Sequence, residues 1–144
     1  MIDTPWGHLS VETGERGLRA VIFDGPAYPP LTGDWALALA GYMAGVPIPL
    51  ELPVDLSDLP PFTRRVLEAC RRIPFGATVT YVMLAAEVGA PRAARAVGQA
   101  MARNPVPVVI PCHRVLGADG SLTGFTAGLA WKRNLLQHEA ALQH

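Results

Sequence analysis

The stretch that most constrains this chain spans residues 106–115, where an apolar run is followed at once by a thiol, an imidazole and a guanidinium. Residues 106–110 are mostly β-branched, which predicts a buried strand. Pro111 cannot donate to a sheet, so the strand should end there or lie at an edge. Cys112 then lies at the mouth of the strand. A cysteine in an apolar segment is more often a packed core residue than a nucleophile, so the rest of the chain must decide its role.

Composition limits the class of protein. The chain has 144 residues, half of them hydrophobic, which predicts one folded domain or a domain with a subdomain. No apolar run reaches the roughly 18–20 residues that span a bilayer, and residues 1–5 do not resemble a signal peptide. The two cysteines, Cys70 and Cys112, form no disulfide framework and favour a reducing, cytoplasmic location. Cys70 falls on the apolar stripe of a predicted helix and is assigned a structural role. No Cys-x-x-Cys or His-x-x-x-His spacing occurs, so we predict no metal site.

Charge is unevenly distributed although the net charge is zero. Residues 1–60 hold two arginines against eight acidic residues, whereas residues 61–144 hold ten basic residues against four acidic ones. A basic second part favours an acidic partner, and nucleic acid is the commonest. The alternative is a chance distribution of charges over two solvated faces.

The first part of the chain predicts a small α/β subdomain over residues 1–57. Alternating apolar and polar residues at 9–13 and 18–23, separated by a glycine-bounded turn, predict a β-hairpin. Asp34 is expected to cap a short helix. The five prolines within residues 46–61 predict an extended strand and then a linker. Few candidate catalytic groups lie in this part, so we assign it a packing role.

Residues 58–144 show helical periodicity and predict a mostly helical domain. Thr80 is a good N-cap for a helix that ends at Gly89. Pro91 is expected to open a second helix that runs to about Arg103. Two short helices joined by a tight turn predict a helix-turn-helix. The whole pattern predicts an α/β (α+β) protein: a hairpin-and-helix subdomain, then a winged-helix-like domain with a loop that carries Cys112.

The second helix of this motif combines arginines with small residues. Gly98 inside a helix costs ~1 kcal/mol relative to alanine, so its presence needs a reason. A face of small residues flanked by arginines lets a helix approach a phosphate backbone or groove closely. The alternative is an alanine-rich solvated helix. The polar residues on its outer faces are Arg92, Arg95, Gln99 and Arg103.

The last predicted helix places a carboxylate on its apolar stripe. Trp131, Leu135 and Glu139 recur at intervals of four, so Glu139 should face the core, where a charge is costly unless it is paired. His113 is the obvious partner, and a histidine oriented by a carboxylate can take the proton of a thiol. The spacing therefore predicts a Cys112–His113–Glu139 relay, provided that the chain bends after Pro111. The alternative for Glu139 is a solvated helix end.

Four segments together resemble the O6-alkylguanine-DNA alkyltransferase family. They are Arg-Ala-Val-Gly at residues 95–98, Asn-Pro-Val-Pro at 104–107, Ile-Pro-Cys-His-Arg-Val at 110–115 and the glycine-bracketed loop at 124–128. The resemblance implies a direct, irreversible transfer of an alkyl group from O6 of guanine in double-stranded DNA to Cys112, with transfer from O4 of thymine left open. It implies a monomer that acts once, with no cofactor, no membrane and no obligate protein partner.

The resemblance also implies roles for the central residues. Cys112 would be the acceptor, His113 the base acting through a water, and Glu139 the group that orients His113. Asn104 would hold the active-site turn together. Tyr81 would hydrogen-bond the base after it is flipped out of the duplex and would protonate guanine N3 as it leaves.

The DNA contacts and the base pocket follow from the same resemblance. Arg95 would fill the gap in the base stack from a helix lying in the minor groove. The other expected DNA contacts are Arg92, Ala96, Gly98, Gln99, Arg103 and Arg114, and the expected pocket lining is Tyr81, Val115, Phe125, Thr126 and Ala127. Phe125 replaces a tyrosine common in the family, and Ala127 replaces a glycine-type position. Methyl transfer should survive these changes, whereas transfer of bulky groups is in doubt.

Three other functions compete with alkyl transfer. A non-enzymatic lesion-binding protein of the alkyltransferase-like kind would share the helix-turn-helix but lack the acceptor, and Cys112 argues against it. A cysteine hydrolase using Cys112 and His113 would give the arginine-bearing helix no role. A helix-turn-helix transcription regulator would read bases from the major groove, which does not fit the family's minor-groove mode.

Overall fold

The computed structural model describes residues 2–25, 33–117 and 129–142, with side chains to residue 140. Its strands are β1 Ile2–Thr4, β2 Gly7–Gly14, β3 Gly17–Phe23, β4 Val79–Thr80 and β5 Val115–Leu116. Its α-helices are α1 Asp34–Met43, α2 Pro61–Arg71, α3 Tyr81–Glu87, α4 Ala94–Ala102 and α5 Leu129–Leu142, and Cys112–Arg114 form a short 3-10 helix. The α/β class predicted from the sequence is confirmed.

The N-terminal sheet contains the predicted hairpin and one further strand. β2 pairs antiparallel with β3, and β1 adds to the other edge of β2 in the order β1-β2-β3. Leu9, Leu18 and Val21 are buried from this sheet. Leu18 and Val21 are three positions apart, and they share a face because the pairing register shifts between Glu12 and Thr13. β1 was not predicted, since three residues are too few to show an alternation.

Two details of the N-terminal part differ from the sequence prediction. The strand predicted within residues 46–61 does not form; the segment makes one isolated bridge, between Leu18 and Val54, and otherwise runs irregularly to α2. Its prolines remove the N–H donors that a ladder needs. α1 is present, but its N-cap is Gly33 and Asp34 is the first helical residue, without a side-chain cap. An acidic residue in the first turn still favours the helix through its dipole.

The helix-turn-helix is formed by α3 and α4. Thr80 caps α3 as predicted, accepting a hydrogen bond from the Met83 amide at 3.1 Å. Gly89 lies just after the C-terminal end of α3 and has φ +79°, a conformation that glycine adopts without strain. The prediction that Pro91 opens the second helix is wrong. α4 begins at Ala94, because the chain first makes a turn in which the Ala93 amide donates to Ala90 O.

α5 connects the two parts of the chain. Trp131 packs against Phe23 at 4.4 Å between ring centroids and edge-on against Trp6 at 6.1 Å. Its indole N–H donates to the Asp24 carboxylate at 3.3 Å. The amide of Val21 also donates to Pro105 O, so the sheet packs directly behind the active-site segment. The boundary at residue 57 stays a prediction. No helix in the described ranges is long and apolar enough to cross a membrane.

Candidate active site

The segment before Cys112 is a closed turn, and the strand predicted for residues 106–110 is wrong. The Ile110 amide donates to Val106 O at 2.9 Å, and Val108 lies at φ +74°, a region that β-branched residues rarely enter. Prolines at 105, 107 and 111 remove three N–H donors, so a ladder cannot form here. The β-branched side chains are buried all the same, and they anchor the turn in the core.

Asn104 holds both ends of this turn. Its Oδ1 accepts from the Val106 amide at 3.0 Å, and its Nδ2 donates to Ile110 O at 2.9 Å. Asn104 also hydrogen-bonds the Cys112 side chain, which favours the thiolate form. The geometry agrees with the turn-holding role expected for Asn104.

The bend after Pro111 that the relay requires is present. Cys112, His113 and Arg114 form one turn of 3-10 helix, in which the Arg114 amide donates to Pro111 O at 2.9 Å. With three residues per turn, successive side chains point about 120° apart. A regular strand would have sent neighbouring side chains to opposite faces. All three side chains are buried.

Cys112 carries a protonated thiol at neutral pH. It is 9% exposed, and burial raises its pKa to about 11, although the Asn104 hydrogen bond and the Lys132 charge lower it. A thiolate at this position therefore needs a nearby base to accept the thiol proton. Cys70 is fully buried in α2, where burial raises its pKa well above the ordinary value. Its structural assignment agrees with this position.

His113 lies against Glu139, as the helical spacing predicted. His113 Nε2 lies 2.5 Å from Glu139 Oε2, and both residues are 1% exposed or less. A carboxylate acceptor fixes the proton on Nε2, which leaves a lone pair on Nδ1. That Nδ1 is buried and has no hydrogen-bond partner among the described residues. Burial lowers the pKa of His113 more than Glu139 raises it, so the imidazole is neutral and able to accept a proton.

Glu139 is the most heavily hydrogen-bonded side chain of the site. Burial alone would raise its pKa, but the hydrogen bonds from His113 and Arg114 and the positive charge of Arg114 outweigh this and hold its pKa far below the ordinary range. Five donors approach its carboxylate: His113 Nε2, Arg114 Nε at 2.8 Å, Arg114 Nη2 at 3.0 Å, the Tyr42 hydroxyl at 2.7 Å and the Gly76 amide at 3.0 Å. The carboxylate is thus ionised and fixed in orientation.

The assignment of Arg114 to DNA binding is wrong. Arg114 is 7% exposed, pairs with Glu139 through two nitrogens, and donates through Nη1 to Ile73 O at 2.6 Å. Its guanidinium also lies over the Phe75 ring at 5.7 Å. A buried carboxylate needs a cation, and the residue next to His113 supplies it from the same 3-10 turn.

Two side chains of the site, among the described residues, were not predicted. Lys132 is fully buried in α5, donates to Val115 O at 2.8 Å and lowers the pKa of Cys112 by its charge. Its interval of seven residues from Glu139 could have indicated a shared helix face. Tyr42 lies three residues after the buried Leu39, which predicts burial, but its contact with Glu139 spans 97 positions and leaves no local signal.

The short parallel pair of β4 and β5 brings Tyr81 close to the active-site turn. Val79 pairs with Val115 and Thr80 with Leu116, so Tyr81 begins α3 beside the strand that follows Arg114. The Tyr81 ring also lies next to Gly98 of α4. A Cβ atom placed on Gly98 would lie 3.9 Å from Tyr81 Cε1. Val115 is fully buried. Phe125, Thr126 and Ala127 fall outside the described residues, so their pocket role stays a prediction.

The polar residues predicted for one helix face lie on α4 and at its two ends: Arg92 lies in the turn before α4, and Arg103 is its C-cap residue. Arg92, Arg95, Gln99 and Arg103 are exposed and have no hydrogen bond or ion pair within the described residues. Ala96 and Gly98 are half-buried between them, while Val97, Ala100 and Met101 pack into the core. The helix therefore has exposed, unpaired arginines, within the described residues, next to small side chains that leave its surface flat. No group of three or more metal-ligating side chains lies together in the described ranges.

Comparison with known proteins places the chain in a family. Residues 61–141 match the family model described as the 6-O-methylguanine DNA methyltransferase, DNA binding domain. The chain is 38% identical to a methylated-DNA–protein-cysteine methyltransferase of Mycolicibacterium paratuberculosis, over 96% of this chain and 89% of that one. The chain belongs to this family. A methyltransferase of the same name from Methanosarcina barkeri is also 38% identical, over 96% and 94% of the two chains.

Solved structures of the methyltransferase family agree with the fold. The crystal structure of Mycobacterium tuberculosis OGT in complex with DNA superposes with a TM-score of 0.87 and 35% identity, covering 98% of this chain and 91% of that one. The similarity extends over both parts of the chain. The N-terminal sheet and α1 are therefore part of the shared architecture.

Removing the Lys132 charge should slow the reaction of Cys112 with small alkylating reagents. In Lys132→Met the aliphatic stem is kept, but the thiolate loses a nearby cation, so its pKa should rise above about 11. We expect alkylation of Cys112 by iodoacetamide, followed by peptide mass spectrometry, to be roughly three- to tenfold slower at pH 8. Arg133→Met, a neighbouring change at an exposed site, serves as the control. Equal rates in the three proteins would contradict the electrostatic role of Lys132.

Proposed function

We propose that this protein repairs double-stranded DNA by transferring the alkyl group of O6-alkylguanine to its own Cys112. The observation that carries the proposal is the arrangement of an acceptor thiol next to a neutral imidazole whose Nδ1 is free among the described residues and whose Nε2 is held by a buried carboxylate. Membership of the methylated-DNA–protein-cysteine methyltransferase family supports it.

The reaction forms one bond and breaks one. Cys112 Sγ attacks the alkyl carbon, the carbon–O6 bond breaks, and the electron pair stays on guanine. The thiol proton passes through a water to His113 Nδ1, and Glu139 stabilises the imidazolium. Tyr81 supplies a proton to guanine N3, so the base leaves neutral. The thioether has no route back to a thiol, so each molecule acts once.

The chemical nature of the two reactants explains why a buried thiol suits the proposed alkyl transfer. A carbon–oxygen bond of an alkylated base is a poor electrophile, and a thiolate is an intrinsically strong nucleophile. A permanently formed thiolate would also react with cellular oxidants. With a pKa of about 11 in the resting protein, Cys112 stays protonated until a substrate is positioned beside it.

The base reaches Cys112 by leaving the duplex. Extruding a nucleotide costs a few kcal/mol, and a side chain inserted from the minor groove can offset part of that cost. We assign this insertion to Arg95. Arg92, Gln99 and Arg103 would contact the flanking phosphates, while Ala96 and Gly98 let the helix approach the groove closely. Arg114 takes no part, because it is committed to Glu139.

The decisive test is a mass measurement on the intact protein. Incubation with a duplex that contains one O6-methylguanine should add one methyl group, located on the peptide that carries Cys112. The same duplex should leave Cys112→Ser unchanged in mass. Binding of the damaged duplex without any mass change would contradict alkyl transfer and favour a lesion-binding protein. An adduct that hydrolyses and allows repeated turnover would instead indicate a cysteine hydrolase.

A further inference from the structure

We propose that Tyr42 of α1 is a positioning residue for the relay: its hydroxyl orients the Glu139 carboxylate and limits how strongly that carboxylate attracts the proton on His113. The effect on reaction rate rests on the proposed alkyl transfer, whereas the effect on His113 does not. The N-terminal part of the chain, to which the sequence assigned only packing, would then act directly on the site.

The first argument is competition for one oxygen atom. Glu139 Oε2 accepts from the Tyr42 hydroxyl at 2.7 Å, from His113 Nε2 at 2.5 Å and from Arg114 Nη2 at 3.0 Å. A carboxylate offers about four lone-pair positions, and this one receives five donors. Because Oε2 also accepts the hydrogen bond from Tyr42, the hydrogen bond that it accepts from His113 is weaker. Tyr42 therefore weakens the acceptor that faces His113.

The second argument is that the Tyr42 hydroxyl has a fixed position. Its ring packs edge-on against Phe75 at 5.7 Å and in a tilted arrangement against the His138 ring at 5.3 Å. Its carbonyl oxygen lies 2.9 Å from His138 Nε2. Tyr42 is 1% exposed, and burial, followed by the charge of Glu139, raises its pKa far above the ordinary value. The phenol is therefore protonated at neutral pH and donates its hydrogen bond to Glu139.

The sign of the effect follows from these contacts. A donor to a carboxylate lowers its basicity. Without the Tyr42 hydroxyl, Glu139 would bind the Nε2 proton more strongly and would stabilise the imidazolium more, so the pKa of His113 would rise. The other titratable and charged groups around the pair are Cys112 and Arg114 from the 3-10 turn and Lys132 and His138 from α5, and these stay unchanged.

The test compares Tyr42→Phe with the full-length wild type. Phenylalanine keeps the ring contacts and the carbonyl and removes only the hydroxyl. We expect the NMR titration of the His113 ring to move to higher pH by roughly half a unit or more. The acidic limb of the pH profile for methyl transfer from an O6-methylguanine duplex should move with it. The titration needs no alkyl transfer, so it still decides the proposal if the protein transfers nothing.

Two further variants separate positioning from packing. Trp6→Phe alters the contact of Trp6 with His138 and Trp131 without touching Glu139, and it should leave the His113 titration in place. 3-Fluorotyrosine at position 42 keeps the shape but donates more strongly, so the titration should move to lower pH; it decides the matter if Tyr42→Phe does not fold. An unshifted His113 titration, or an equal shift in Trp6→Phe, would overturn the proposal.

Discussion

Glu139→Gln should destabilise the protein strongly and nearly abolish methyl transfer. The amide is isosteric but neutral, so the buried Arg114 guanidinium loses its counter-charge. Breaking a buried ion pair by removing one partner typically costs about 3–5 kcal/mol. For a chain of this size each kcal/mol lowers the melting temperature by about 2–4 °C. Thermal unfolding should therefore occur roughly 6–20 °C lower than in the wild type.

The loss of rate has a separate cause. A glutamine can present its NH2 group to His113 Nε2, which would move the ring proton to Nδ1 and block proton acceptance there. Loss of the correct tautomer costs about 10²–10⁴-fold in related catalytic arrangements. Single-turnover transfer from an O6-methylguanine duplex, measured well below the melting temperature, checks this.

The double variant Glu139→Gln/Arg114→Met distinguishes the two causes. Replacing both members of a buried pair by neutral groups is often close to neutral for stability, so much of the melting temperature should return. The rate should not return, because the histidine still lacks its carboxylate. Recovery of rate together with stability would show that Glu139 acts only in folding.

Acid should destabilise the wild type through the same two residues. His113 is buried neutral with a lowered pKa, so the unfolded chain binds its proton first and stability falls as the pH drops below about 6.5. Glu139 has a lowered pKa, so its contribution is full above about pH 4.3 and is lost as the pH falls toward the folded-state value. Glu139→Gln should lack this second loss, which denaturant titrations across pH 2–7 would detect.

The sequence was most informative where one helix or one motif carries the signal. The interval of four that joins Trp131, Leu135 and Glu139 predicted a buried carboxylate, and all three residues are buried. Thr80 and Gly89 marked the ends of α3 correctly. These signals are local, since a cap or a helical stripe depends on residues within a few positions of each other.

The predictions for residues 106–110 and for Arg114 failed because their structure depends on contacts that residue type alone does not show. Residues 106–110 have the β-branched content of a strand, but three neighbouring prolines and the two hydrogen bonds from Asn104 close them into a turn. Arg114 was expected at the DNA from the family resemblance, and no local pattern in the sequence marked it as buried. Its actual partner, Glu139, lies 25 positions away, and only the packing of α5 brings the two together.

Arg95→Ala should lower methyl transfer from duplex DNA by about 30- to 100-fold while sparing the thiol. The exposed Arg95 side chain has no partner in the described ranges, so its removal should not affect folding. If Arg95 fills the vacated position in the base stack, it offsets part of the free energy of unstacking. Without it, the activation free energy for transfer from duplex DNA should rise by about 2–3 kcal/mol. The single-turnover rate constant at saturating duplex measures this loss. The rate with a free O6-alkylguanine base should stay within about twofold, because no stack is broken.

Arg103→Ala, on the same helix, provides the matched contrast. Arg103 is also exposed and unpaired within the described residues, but at the end of α4 it is assigned a phosphate contact. A phosphate contact contributes affinity without base specificity, so its removal should weaken binding and reduce the slope of log affinity against log salt by about one. The rate at saturation should not change. If Arg95→Ala behaves in the same way, losing affinity and salt dependence but no rate at saturation, then Arg95 is one more phosphate contact, and base extrusion must depend on the binding energy of the whole helix.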